Sequence, residues 1–264
     1  MAPPAASGSS PGAGAVLAGV RALVTGGTSG LGRAMAEALA AAGARVVVTS
    51  RDAGRAATAA QQIGSRVEGL AMDVRDADAV EAGVARIFGE LGGLDLLVAN
   101  AGIGMRTVNP RFLTEPQPFW AVTPRGFRDV VETKVAGTFL AVRAVVPRML
   151  SGGGGRVVVI SMNVATMSRR GFVPYGPAGA AVEALAGVMA EDLAGTTVRL
   201  NILLPGGATA TGMIPEDASD EVRAHLLDPA IMGPPIVWLA SPAARDVHGR
   251  RIDASQFAHE HPRL

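Results

Sequence analysis

Residues 25–32 read Thr25-Gly26-Gly27-Thr28-Ser29-Gly30-Leu31-Gly32, and their reading decides the fold. Before them stands the short apolar run Arg21 to Gly26 (RALVTG), which reads as a buried parallel strand ending in glycine. After them, Leu31 to Ala42 carries apolar residues at helical spacing and stops at Gly43, a C-terminal helix signal. A glycine-rich turn between a strand and a helix lets backbone approach a pyrophosphate. The helix N-terminus then supplies unpaired N–H groups and a favourable dipole. Tight geometry alone can also demand glycine. The strand on one side and the helix on the other favour the dinucleotide-binding turn.

Outward from this turn, strands and helices alternate. Arg45 to Ser50 (RVVVTS), Val67 to Met72, Leu94 to Ala99, Gly155 to Ser161, Thr197 to Leu204 and Gly249 to Ala254 read as strands. Helices are predicted over Ala53 to Ile63, Ala77 to Leu91, Gly126 to Leu150 and Pro174 to Leu193, and a helix and loop covering the site over Thr209 to Leu227. The βαβ spacing predicts a Rossmann-type α/β fold, a doubly wound parallel sheet in three layers with helices on both faces. No internal linker or repeat interrupts it. Residues 1–16, rich in Pro, Ala, Ser and Gly, read as a disordered N-terminal tail, and residues 17–264 as one domain. The loop from Met105 to Pro124 is dense in proline and aromatics, and a loop of that length inside a compact domain is usually functional.

The spacing T-G-x-x-x-G-x-G resembles that of the short-chain dehydrogenase/reductase family. Other stretches agree in order: Asp73-Val74 resembles its adenine contact, and Asn100-Ala101-Gly102 its NNAG motif, with Ala99 replacing the first Asn. Pro205-Gly206 resembles the PG motif beside the nicotinamide, and Tyr175 stands where the family places its catalytic tyrosine. The resemblance covers roughly residues 18–255 and implies a nicotinamide cofactor site. That site would be built from Gly26, Thr28, Ser29, Gly30, Leu31 and Gly32, then Ser50, Arg51, Asp73 and Val74, then Asn100, Ala101, Gly102, Pro205, Gly206 and Thr211. NAD-preferring members carry an acid where Ser50 stands. A small residue followed by arginine suits a 2′-phosphate instead, which implies NADP(H), unless Arg51 is merely a solvated turn residue.

The resemblance breaks at the catalytic end. In the family a tyrosine moves the proton, a lysine four residues later lowers its pKa, a serine orients the substrate oxygen and an asparagine holds a relay water. Here Tyr175 remains, but the lysine position is Gly179, the serine position is Met162 and the asparagine position is Lys134. A free tyrosine titrates near ~10, and losing a nearby ammonium raises the barrier by on the order of 10²–10³ in rate. Two rescues are open. Lys134 replaces the lost lysine from the other helix, or is simply a solvated side chain. Ser161 or Asn163 replaces the serine through a one-residue shift at the strand end. Tyr175 itself is either the acid/base or a buried structural tyrosine.

Met162, Phe172, Trp120 and Met213, with the aromatics of the long loop and the basic pair Arg169-Arg170, either line an apolar pocket with a basic rim or are ordinary packing. The expectation is therefore an NADP(H)-dependent oxidoreductase acting on a small hydrophobic or aromatic ketone or alcohol with altered proton-transfer residues. The alternatives are a non-redox isomerase, dehydratase or cyclase on the same scaffold, for instance in secondary metabolism, and a catalytically inactive subunit.

Composition narrows the setting. Of 264 residues 48% are hydrophobic and 18% charged, enough apolar material for one large core. A net charge of +1 offers no footprint for nucleic acid or an anionic membrane, and no apolar run is long enough to span a bilayer. Without cysteine there is no disulfide or thiolate metal site, and a cytoplasmic setting is expected. The four histidines lack ligand spacing except in the tail His259-Glu260-His261, so no metal is expected. The resemblance implies a homodimer or homotetramer through the two long helices.

Overall fold

The computed structural model describes residues 16–261; all but Val16 of the expected N-terminal tail lies outside them. Seven strands form one sheet in the order β3-β2-β1-β4-β5-β6-β7, and every neighbouring pair is parallel. The strands are β1 (Arg21–Val24), β2 (Arg45–Ser50), β3 (Val67–Ala71), β4 (Leu96–Ala99), β5 (Gly155–Ile160), β6 (Val198–Leu204) and β7 (Arg251–Asp253). The chain winds outward in one direction from β1 to β3, then crosses back to β4 and continues the other way. The carboxyl ends of β1 and β4 therefore flank a topological switch point, where a crevice must open.

Both faces of the sheet are buried, which is why its strands read as apolar runs. On one face Val24, Val48, Val98 and Ile160 pack against α1 (Gly30–Ala41) through Met35 and Leu39, and against α9 (Gly233–Ala240) through Ile236 and Leu239. On the other face Leu23, Leu97 and Val159 meet three helices: α3 (Ala77–Leu91), α5 (Gly137–Ser151) and α7 (Tyr175–Asp192). The remaining helices are α2 (Ala53–Ile63), α4 (Pro124–Val131) and the short α6 (Val164–Met167), α8 (Asp220–Ala224) and α10 (Phe257–Glu260). Helix α9 was not foreseen. Its Pro234 and Pro235 sit in the first turn, where a missing N–H costs nothing.

Two expectations need correcting. The single helix expected over Gly126 to Leu150 is α4 and α5 joined by a π-helical turn, Glu132–Ala136, in which the N–H of Gly137 bonds the carbonyl of Glu132 five residues back. The widened turn strains the regular carbonyl ladder, and the hydroxyls of Thr133 and Thr138 donate to the carbonyls of Asp129 and Lys134 at 2.7 Å each. The helix expected from Pro174 begins at Tyr175, with Pro174 as its N-cap. The helix and loop expected over Thr209 to Leu227 are both present, the helix being α8, five residues long.

Candidate active site and cofactor groove

The crevice at the switch point is a cleft of about 590 Å³ that runs from the TGGTSGLG turn to Tyr175. At one end lie Gly26, Thr28, Ser29, Gly30, Leu31 and Gly32. Ser29 is the N-cap of α1 but makes no side-chain cap. Among the described residues, the N–H groups of Gly30, Leu31 and Gly32 have no protein acceptor and remain available to an anion. The turn is clamped to β4. Asn100 Nδ2 donates to the carbonyls of Thr25 and Gly26 at 2.9 and 3.2 Å, and Thr25 Oγ1 accepts from the N–H groups of Asn100 and Ala101 at 3.0 and 3.1 Å. A Cβ on Gly32 would stand 2.4 Å from Asn100 Nδ2, so glycine there is a requirement of this close approach.

The next stretch of the cleft is walled by Ser50, Arg51, Asp73, Val74, Ala101 and Gly102, and by Arg55, which the sequence reading missed. Arg55 lies in the first turn of α2, four residues beyond Arg51, and a second arginine so soon after the first was the available signal. Asp52 is withdrawn from the groove: its Oδ1 accepts from the N–H of Arg55 at 2.7 Å and caps α2. Asp73 is held by Arg75 (2.7 Å), which keeps its carboxyl below the ordinary carboxylate range, with Arg51 adding to the effect. Pro205 and Thr211 also line the cleft. Gly206 does not. It turns the chain behind the wall at φ +87°, with Asp253 and Ser255 filling the space a side chain would need, and its carbonyl accepts from Asn163 Nδ2 at 2.7 Å.

Lys134 and Tyr175 meet at the far end. The π turn carries Lys134 inward until it is 8% exposed, and its Nζ stands over the Tyr175 ring, 5.5 Å from the centroid. No carboxylate offsets its burial, which alone pushes its pKa down to about 8. Burial moves the Tyr175 hydroxyl the other way, above its ordinary value, and that hydroxyl donates only to Met213 Sδ, at 3.7 Å. Tyr175 packs on a small cluster of Met105, Phe112 and Phe172, in which the two phenyl rings meet edge to face at 5.4 Å.

The other expected catalytic groups are differently engaged. Ser161 lines the cleft, but its hydroxyl donates to Glu183 Oε1 at 2.6 Å. Glu183 is in turn paired with Arg251 (2.9 Å), whose other nitrogen donates to the carbonyl of Met162. This buttress at the end of β5 escaped the sequence reading, because Glu183 and Arg251 lie far from Ser161 in the chain. Met162, Phe172 and Met213 line the cleft. Trp120 does not: it is 76% exposed and stacks edge to face on Phe119 outside the pocket. Of the basic pair expected on the rim, Arg169 lines the cleft and Arg170 does not; Arg106, which the sequence reading missed, lines it too.

The site geometry agrees with the comparisons to known proteins. The family model for short chain dehydrogenases matches residues 21–222. The chain is 31% identical to a 3-oxoacyl-(acyl-carrier-protein) reductase of Vibrio cholerae over 245 residues, which is 89% of this chain and 96% of that protein. It is also 31% identical to an uncharacterized oxidoreductase of Mycobacterium tuberculosis over 175 residues, and that match spans 62% of each. A crystal structure of a short chain dehydrogenase from Burkholderia cenocepacia in complex with NADP superposes with a TM-score of 0.77 at 30% identity, covering 90% of this chain and 98% of that one. The chain belongs to the short-chain dehydrogenase/reductase family.

Proposed function

We propose that this chain is an NADP(H)-dependent reductase of a small hydrophobic or aromatic ketone or aldehyde, with Tyr175 and Lys134 as its proton-transfer pair. The observation that carries this reading is the position of Lys134 Nζ, 5.5 Å from the Tyr175 ring centroid at the floor of the cleft that begins at the phosphate-binding turn.

The groove fits a nicotinamide dinucleotide. Three free N–H groups at the start of α1 suit a pyrophosphate, and Arg51 and Arg55, with Asp52 withdrawn into a cap, suit a 2′-phosphate over a ribose hydroxyl. Bound there in its reduced form, the cofactor supplies a hydride for the carbonyl carbon. The carbonyl oxygen needs a proton. Tyr175, with its pKa raised by burial, stays protonated at neutral pH and serves as an acid. Lys134, with a pKa of about 8, is close enough to neutral to return that proton. A raised tyrosine pKa keeps that proton in place for carbonyl reduction near neutral pH. Asn163, with one N–H given to Gly206, has a second to offer a substrate oxygen.

The homodimer or homotetramer implied by the family is supported by Phe127 on α4, Phe139 on α5 and Val188 on α7, large apolar side chains left exposed on the long helices. A second reading, a non-redox isomerase or dehydratase, is favoured by one observation: the Ser161 hydroxyl is spent on Glu183 rather than held toward the cleft.

NADPH oxidation followed at 340 nm against a panel of ketones, aldehydes and quinones tests the reading. Turnover that collapses in both Tyr175→Phe and Lys134→Ala, with NADPH binding retained, is the expected result. Tight binding with no turnover of any carbonyl moves the function to the non-redox class, and absence of NADPH binding removes the cofactor assignment altogether.

A further inference from the structure

Among the described residues, the substrate half of the cleft is lined by cationic side chains and by no acid. Asp73 is the one carboxylate among the residues lining the whole cleft, and it lies at the cofactor end, tied to Arg75. Three cationic side chains line the other half: Arg106, Lys134 and Arg169. Arg106 is committed, to Glu216 at 2.9 Å and to the carbonyl of Gly212 at 2.9 Å. Lys134 is on the floor. Arg169 is exposed at the mouth, where its guanidinium lies over the Phe172 ring, 4.8 Å from the centroid, with no ion pair among the described residues.

Phe172 is buried and shares one apolar cluster with Tyr175. The guanidinium is thus separated from the proton-transfer pair by an aromatic wall. A guanidinium that rests over a ring without an ion pair has N–H groups to give to a carboxylate in two-point fashion. A neutral apolar substrate would leave this donor set unused, whereas an anionic group on the substrate would complete it.

We propose that the substrate carries, besides its carbonyl, a carboxylate on a flat apolar spacer, and that Arg169 receives this carboxylate at the mouth while the carbonyl lies against Tyr175 and Lys134. The proposal rests on the reductase reading for the placement of the carbonyl, but the anion subsite can be tested apart from turnover.

The test compares 4-carboxybenzaldehyde with methyl 4-formylbenzoate, the same aldehyde with its charge removed. Binding to the protein saturated with NADP+ is measured by titration calorimetry, and NADPH oxidation is followed separately. The acid is expected to bind about tenfold more tightly than the ester, as for a charge-assisted contact. That preference should shrink in Arg169→Leu and with added salt. Equal affinity for the two aldehydes, no binding of either, or a preference that survives Arg169→Leu overturns the proposal. A preference for the acid without NADPH oxidation upholds the anion subsite and counts against the reductase. Turnover of both aldehydes without preference does the reverse.

Discussion

The thioether of Met162 occupies the space beside Gly179: a Cβ built on Gly179 would stand 2.6 Å from Met162 Cε and 2.7 Å from Sδ. The family resemblance implies that Met162 stands at its serine position and Gly179 at its lysine position, and the contact between them makes the two departures one packing solution. Restoring either residue alone breaks the fit. Gly179→Lys is expected to lower stability by about 1–2 kcal/mol, an overpacking cost moderated by the flexibility of methionine. Met162→Ser combined with Gly179→Lys should recover most of that loss. Chemical denaturation of the two single variants and the double variant measures the coupling; strictly additive effects would show that the two sites are independent.

Lys134 makes stability depend on pH in a defined direction. Its pKa falls from 10.5 in the unfolded chain to about 8 in the fold because of burial. Between those values the unfolded chain binds more protons, so stability rises with pH from about 8 toward 10.5, and the full penalty applies below about 8. Lys134→Met, which keeps the apolar stem, should therefore be more stable than the parent at pH 7 by up to about 3 kcal/mol. The gap should close as the pH approaches 10. Urea melts of both proteins from pH 7 to 10 check it, and a gap that does not vary with pH would count against a buried ammonium.

The same titration should appear in turnover. With Lys134 protonated as the source that recharges Tyr175, kcat for carbonyl reduction is expected to fall as the pH rises through about 8. In Lys134→Met this alkaline limb should vanish and kcat should drop by about 10²-fold. A pH profile of kcat, with NADPH affinity measured alongside, separates this from damage to the cofactor groove.

Cofactor choice should hinge on Arg51. Arg51→Ala is expected to weaken NADPH binding by about tenfold and leave NADH binding nearly unchanged, since the guanidinium addresses only the 2′-phosphate. Ser50→Asp should push the preference further toward NADH. Fluorescence titration with each cofactor reads both effects. Equal losses for NADPH and NADH would mean that Arg51 serves the fold and not the phosphate.

The phosphate-binding turn and the sheet were legible in the sequence because their physics is local. A parallel strand buried on both faces is an apolar run, and a turn that must admit a pyrophosphate is rich in glycine. Tyr175, Lys134 and the residues expected at the cofactor followed from motif order, and all but Gly206 line one cleft. The features that escaped depend on partners distant in the chain. Nothing near Ser161 announces that its hydroxyl is taken by Glu183, 22 residues on. Trp120 sits in a loop dense in apolar residues, yet whether such a ring turns inward is settled by the surfaces it meets, and here it stays 76% exposed. Helix α9 was hidden by its paired prolines, and the π turn by the fact that one widened turn hardly disturbs the spacing of apolar side chains.

That turn has an evolutionary consequence. A π turn is an α-helix with one residue too many. Removing any single residue between Glu132 and Ala136 would let the helix close into regular α geometry. Because the widened turn absorbs the extra residue, the helices on either side would keep their phase, and the side chains within the turn would take new directions. An amine hung from this stretch would face another neighbour, with Tyr175 and the phosphate turn untouched. The presence of Lys134 in the cleft is thus set by chain length as well as by residue identity, and a lineage could gain or lose this amine through a single codon's insertion or deletion.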